Sequence, residues 1–303
     1  MKRVDSLPSK PCRARATGAL LLLAGWMMVQ GCSSPPPEAS PPLALQQANH
    51  YQSSASRFSE RQQWTAAARE WDVAARHYAL LNQRAPQAVA LHNLALAHRH
   101  LRQFQQAIAA VHEAARLNLA LEQSTEWWRN QVLLLQLEAA TGPAEVLDRH
   151  FQDLLPRWES ELQDNVTRAS FLNEYGLRQW KKGELQPAMN TFKDAQSLFE
   201  KAGHRNGQAT ALANLARVQE AQASPEPAHQ TWRNALVVFE ETGHLPGIAT
   251  ALAGLGRTLL QSPHDRDLAR DYLERAAGNF QQLHMEAEHQ ETSRLLQQLA
   301  DGE

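Results

Sequence analysis

Thirteen histidines, 32 carboxylates and two cysteines in 303 residues could supply metal ligands, acid–base pairs or a nucleophile. Their spacing assembles none of these. No Gly-x-x-x-x-Gly-Lys-[Ser/Thr], Gly-x-Ser-x-Gly, His-Glu-x-x-His or calcium-loop pattern occurs. The closest histidines, His98 with His100 and His284 with His289, lack the i,i+4 spacing that turns two imidazoles toward one metal. Acidic pairs such as Glu240-Glu241 lie near helix ends and read as surface, and nothing selects two carboxylates for glycosidic cleavage. The expectation is a non-enzyme with no catalytic residue, no metal and no cofactor. What does recur is cationic: Arg217 and Arg257 stand 40 residues apart, with Lys181 before them. Such a column could take a carboxylate or an acidic peptide through charge-assisted hydrogen bonds. Ordinary solvated helix faces are the alternative reading of the same residues.

The elements that must position those cations come from a repeat. The run from Gly203 to Leu215 (Gly-His-Arg-Asn-Gly-Gln-Ala-Thr-Ala-Leu-Ala-Asn-Leu) returns at Gly243 to Leu255, with 10 of 17 aligned positions identical. Walking outward, an apolar mark falls at Leu94, Leu134, Tyr175, Leu215 and Leu255, and one step further back reaches Ser54, where the pattern is weakest. A second set of marks runs in phase, small at Ala67, Ala107, Ala188 and Ala228, with Leu147 and Leu268 at the equivalent places. Large residues follow four later, at Trp71, Val111, Phe151, Phe192, Trp232 and Tyr272, and Ala74, Ala114, Leu154, Ala195 and Ala235 three after that. Separations of four and three lie on one helical face, with alanine where another helix comes close. Turn signals separate the helices at Gly142-Pro143, Gly183, Ser224-Pro225 and Ser262-Pro263, while Gly203 and Gly243 close helices in the left-handed conformation. Pro86 is expected to stop the first unit. No stretch alternates with period two, so no sheet is expected.

Asn93-Leu94-Ala95 with Phe104, Ala107, Val111 and Ala114 resembles a tetratricopeptide repeat, as do Tyr175-Gly176 with Gly183, Leu185, Ala188, Phe192 and Ala195. The Gly-His-x-x-Gly-x-Ala-Thr-Ala-Leu-Ala-x-Leu run resembles the longer variant of that family, with about 40 residues per unit. The resemblance implies an all-α, right-handed superhelical solenoid of about six helix-turn-helix repeats over residues 44–303. A last helix, Ala287 to Leu299, would cap the open end. The third unit, Glu126 to Pro156, departs most from the pattern. Trp127 and Trp128 are adjacent, so both cannot face one core stripe. Function would lie on the concave wall lined by first helices. Groove-facing positions there include Leu96 and His100; Asn173, Leu177 and Lys181; Ala213, Arg217 and Ala221; Ala253, Arg257 and Gln261.

The N-terminus sets the location. Lys2, Arg3, Lys10, Arg13 and Arg15 precede an apolar run from Thr17 to Val29, too short to span a bilayer comfortably and suited to a signal-peptide core. With Val29-Gln30-Gly31-Cys32 following, residues 1–31 resemble a bacterial lipoprotein signal peptide. That resemblance implies lipidation of Cys32, cleavage after Gly31 and, with Ser33 next, the periplasmic face of an outer membrane. A plain secretory signal or an uncleaved anchor are the alternatives. Residues 32–43 hold five prolines and read as an extended tether. Without residues 1–31 the chain has 25 basic and 31 acidic residues, a poor match for nucleic acid. The function expected is a lipid-anchored scaffold or adaptor holding an envelope protein or peptide in its groove. A cell-wall-binding or cell-wall-enzyme regulatory subunit, or a pilus or secretion pilotin, are alternatives.

Overall fold

A computed structural model describes residues 41–260 and 264–301. The leader, Cys32, most of the tether and Gln261 lie outside the described residues. Fourteen helices and no strand occur among the described residues. Six hairpins follow one another: α1 (Leu43–Glu60) with α2 (Trp64–Leu80), and α3 (Arg84–His100) with α4 (Phe104–Ala120). Then come α5 (Ser124–Thr141) with α6 (Ala144–Leu154) and the short α7 (Trp158–Glu161), and α8 (Asn165–Lys181) with α9 (Leu185–Lys201). The last are α10 (Arg205–Ala221) with α11 (Pro225–Thr242) and α12 (Leu245–Leu259) with α13 (Arg266–Gln282), closed by α14 (Glu286–Asp301). Outside the third hairpin each helix packs on the next, so the array is an all-α solenoid.

The packing rule is a large residue on a second helix against a small one on the first helices around it. Trp232 and Phe192 are fully buried, and Ala67, Ala107, Ala188 and Ala228 are too. A Cβ on Gly176 would come within 2.8 Å of Phe192, and one on Gly254 within 2.2 Å of Trp232, so these first helices approach closer than alanine allows. Leu215 and Leu255 are both buried, each beneath the aromatic of the preceding second helix. In the last hairpin the pattern slips by one. Ala269 and Leu273 are buried where Leu268 and Tyr272 were expected, and Leu268 is 43% exposed. The longer connection between α12 and α13 accounts for the slip.

Linkers recur every 20 residues. The middle residue of each takes a positive φ: Gln62, Asn82, Arg102 and Glu122, then Gly183, Gly203, Ala223 and Gly243, and finally His284. The residue after it donates its N–H to the carbonyl five residues back, as Gln63 does to Phe58 and Gln103 to His98, which is the Schellman closure. Pro86 does not stop the first unit. It lies in the first turn of α3, where the N–H that proline lacks has no helical partner to lose. His204 and His244 cap α10 and α12: each Nδ1 accepts from the N–H three residues on, at 3.1 and 3.0 Å. Each ring also lies against the phenylalanine of the helix before it, Phe199 and Phe239.

Candidate ligand-binding groove

Side chains on successive first helices meet about 37 residues apart in sequence. Arg99 on α3 donates to Gln136 on α5, and Gln136 Nε2 donates to Glu174 on α8 at 3.1 Å. His92 on α3 reaches Asn130 on α5 at 2.7 Å. Asn214 Nδ2 on α10 donates to Asn173 Oδ1 on α8 at 2.9 Å, a bond buried at both ends. Arg257 on α12 grips Glu220 on α10 with two bonds, at 2.7 and 3.3 Å. Glu220 also accepts from the indole N–H of Trp232. These rungs fix the helices of the inner wall relative to one another. Loss of hydration dominates their charges: it pushes the Glu174 carboxyl up and the Arg99 guanidinium down, with the Glu174 charge partly restoring Arg99.

Arg217 and Arg257 face one cavity of about 640 Å³ between α8, α10, α12 and α14. Trp180, Ala253, Phe280 and Leu295 give it apolar walls, and Glu220, Glu288 and Glu291 bring carboxylates to it. The two arginines are unlike in their partners. Arg257 has Glu220 and lies 4.0 Å from Glu291. Arg217 donates to the neutral Asn214 Oδ1 at 3.0 Å and sits 5.9 Å from the Trp232 ring centre. No carboxylate among the described residues pairs with it. Burial first, then the charge of Arg257, pushes its guanidinium down.

The other groove positions are spread out. Lys181 lines a separate pocket of about 30 Å³ with Glu174 and Arg178. Leu177 is half-buried against Ala188, Phe192 and Leu215. Asn173 is spent on Asn214, and Leu96 packs into the N-terminal core. His100 is stacked flat on Trp64 at 3.8 Å, a packing contact rather than a groove contact. The basic column therefore reduces to one arginine paired within the wall and one facing the cavity. Sequence reasoning missed Glu220, Glu288 and Glu291. The signal for Glu220 was its place 37 residues before Arg257; the α14 glutamates had none, because that helix reads as a terminal cap.

Helix pairs stacked in one direction, with first helices joined across an inner wall, define a tetratricopeptide-type repeat fold. Solved structures agree with this. The chain is similar to a Rap protein complexed with competence and sporulation factor, at 15% identity over 87% of this chain and 77% of that one, TM-score 0.62. It is similar to the Rap conjugation gene regulator of plasmid pLS20 in complex with the Phr* peptide, at 13% identity over 84% and 73%, TM-score 0.64. The apo quorum sensor NprR from B. thuringiensis matches at 15% identity over 85% and 76%, TM-score 0.61. No family model matches the sequence, and comparison with curated proteins finds no match. At these identities the likeness establishes the fold alone.

Proposed function

We propose that this chain is a non-catalytic scaffold that holds a segment of a protein partner against its inner wall. The observation that carries this reading is the cavity at Arg217: large enough for side chains of a bound segment, apolar on three helices, and lined by a cation with no anion of its own. The structural neighbour crystallised with the Phr* peptide supports it. Lipidation at Cys32 would hold the scaffold at the periplasmic face of an outer membrane, and the partner is then an envelope protein.

A photo-crosslinking residue at Ala221, exposed at the cavity rim, tests the reading in cells that make this chain. The same residue at Leu80, 85% exposed on α2, is the control. A discrete adduct from Ala221 and none from Leu80 is expected. Equal labelling from both positions, or none from Ala221, overturns the groove. Palmitate incorporation that survives Cys32→Ser overturns the anchor and leaves the groove standing.

A further inference from the structure

The two in-register arginines divide the labour of the cavity. On α12, Arg257 finds its carboxylate 37 residues earlier, at Glu220. Arg99 likewise finds its acceptor one such step away, at Gln136. The residue one such step before Arg217 is Trp180, which lines the same cavity and carries no acceptor. Arg217 is thus a partly buried cation whose in-wall partner has been replaced by an aromatic face. Burying a charge without a counter-charge is unfavourable, and the like charge of Arg257 adds to that. Across the cavity α14 brings Glu288 and Glu291; Glu291 lies at the edge of ion-pair distance from Arg257, and Glu288 is paired with no cation among the described residues. A ligand that complements both walls carries a carboxylate and a basic group close together, with an apolar part for Trp180 and Leu295.

We propose that Arg217 receives a carboxylate of the bound peptide segment, from an acidic side chain or a C-terminus, and that Glu288 and Glu291 select a basic residue beside it. This rests on the groove reading above. It assigns Arg257 to the wall and Arg217 to the ligand.

The test is an array of random decapeptides probed with the labelled full-length chain. Each bound sequence is remade with its acidic residues as amides, and separately with its C-terminus amidated. One of the two changes should weaken binding about tenfold to a hundredfold, and which one does so identifies the source of the carboxylate. Arg217→Gln should lose the same factor and become indifferent to that change. Glu288→Gln with Glu291→Gln should lower the preference for a neighbouring lysine or arginine about two- to fivefold. Trp180→Glu, which restores a carboxylate one step before Arg217, should abolish peptide binding in a chain that circular dichroism shows still helical. Peptides that bind wild type, Arg217→Gln and Trp180→Glu alike overturn this assignment but leave the groove. A wild-type chain that binds no peptide of the array overturns both.

Discussion

The fifth hairpin and the third solve the same problem with different materials. In the fifth, α11 runs 18 residues and seats one ring, Trp232, against Gly254 of the next hairpin. In the third, α6 runs only 11 residues and the chain turns through α7 before reaching α8. The missing turns of helix are replaced by an aromatic cluster centred on Phe171. Its ring lies 5.7 Å from Trp128, 5.9 Å from Phe151 and 5.9 Å from Trp158. Of the adjacent tryptophans, Trp128 is fully buried in this cluster and Trp127 stands at its edge beneath Arg157. A clamp adds to it: Asp148 on α6 takes two bonds from Arg178, at 2.6 and 2.7 Å, and one from Lys182 at 2.9 Å. Small-against-large packing needs full-length helices. Where a helix is short, rings and ion pairs bridge the gap, and buried groups such as Asn130 Nδ2 and Arg168 Nε are left without hydrogen-bond partners among the described residues.

The largest expected effect tests whether that cluster couples the two ends of the array. Phe171→Ala should cost about 3–5 kcal/mol, the usual range for a fully buried phenylalanine. Phe192→Ala, equally buried in a regular hairpin, should cost a similar amount. The two should differ in cooperativity. With Phe171 gone, α1–α4 and α8–α13 should open separately, because an array coupled only through neighbours comes apart at its weakest interface. Native-state hydrogen exchange reads each half. Equal opening free energies in both halves of Phe171→Ala would show that the third hairpin is not the weak joint.

How much of this was legible depends on which residues carry each feature. Leu94, Leu134, Leu215 and Leu255 revealed the 40-residue step because burial forces the same apolar type at each. The 20-residue linkers were half hidden. Gly203 and Gly243 announce a left-handed residue, but Gln62, Arg102, Glu122 and Ala223 take the same conformation without its usual residue type. There the closing hydrogen bonds and the packing of both flanking helices impose it. The glutamines that follow, Gln63, Gln83, Gln103 and Gln123, mark the same period and are no turn signal by type. At the site, Arg217 and Arg257 could be aligned because they sit at equivalent repeat positions. Glu220 occupies another face of its helix, and Glu288 and Glu291 belong to α14, beyond the last full repeat, so no register pointed to them.

Two carboxylates at the junction should give pH responses of opposite sign. Hydrogen bonds from Arg178 and Lys182 hold Asp148 well below the usual carboxylate range. Its stabilisation is therefore complete above the unfolded-state value of about 4 and is lost as pH falls through the depressed folded value. Burial raises Glu174, so its contribution is complete below the unfolded-state value and is lost as pH rises through the folded one. Asp148→Asn should remove about 1 kcal/mol at neutral pH and flatten the acid side of a melting-temperature profile. Glu174→Gln keeps an oxygen for Gln136 and should flatten the other side. Identical profiles for wild type and both variants would remove the ion pair and the buried acid from the account of the third hairpin.

The smallest effects separate the linkers of the two regions. Gly183, before α9, sits at φ 79 with open space where a Cβ would stand, whereas Gly142, in the third hairpin, has φ −94. A left-handed conformation costs an L-residue about 1–2 kcal/mol, so Gly183→Ala should lower stability by about 1 kcal/mol. Gly142→Ala should change it by a few tenths at most, set by the Glu138 carbonyl 3.0 Å from the added carbon and offset by the lower entropy of the unfolded chain. Arg102→Gly should run the other way: it relieves the left-handed cost at φ 57 and returns part of the gain as unfolded-state entropy, a net stabilisation of about 0.5 kcal/mol. Urea midpoints at a common slope resolve these differences. If Gly142→Ala costs as much as Gly183→Ala, the third linker shares the constraint of the regular ones, and the contrast between the two hairpins shrinks to the length of α6 alone.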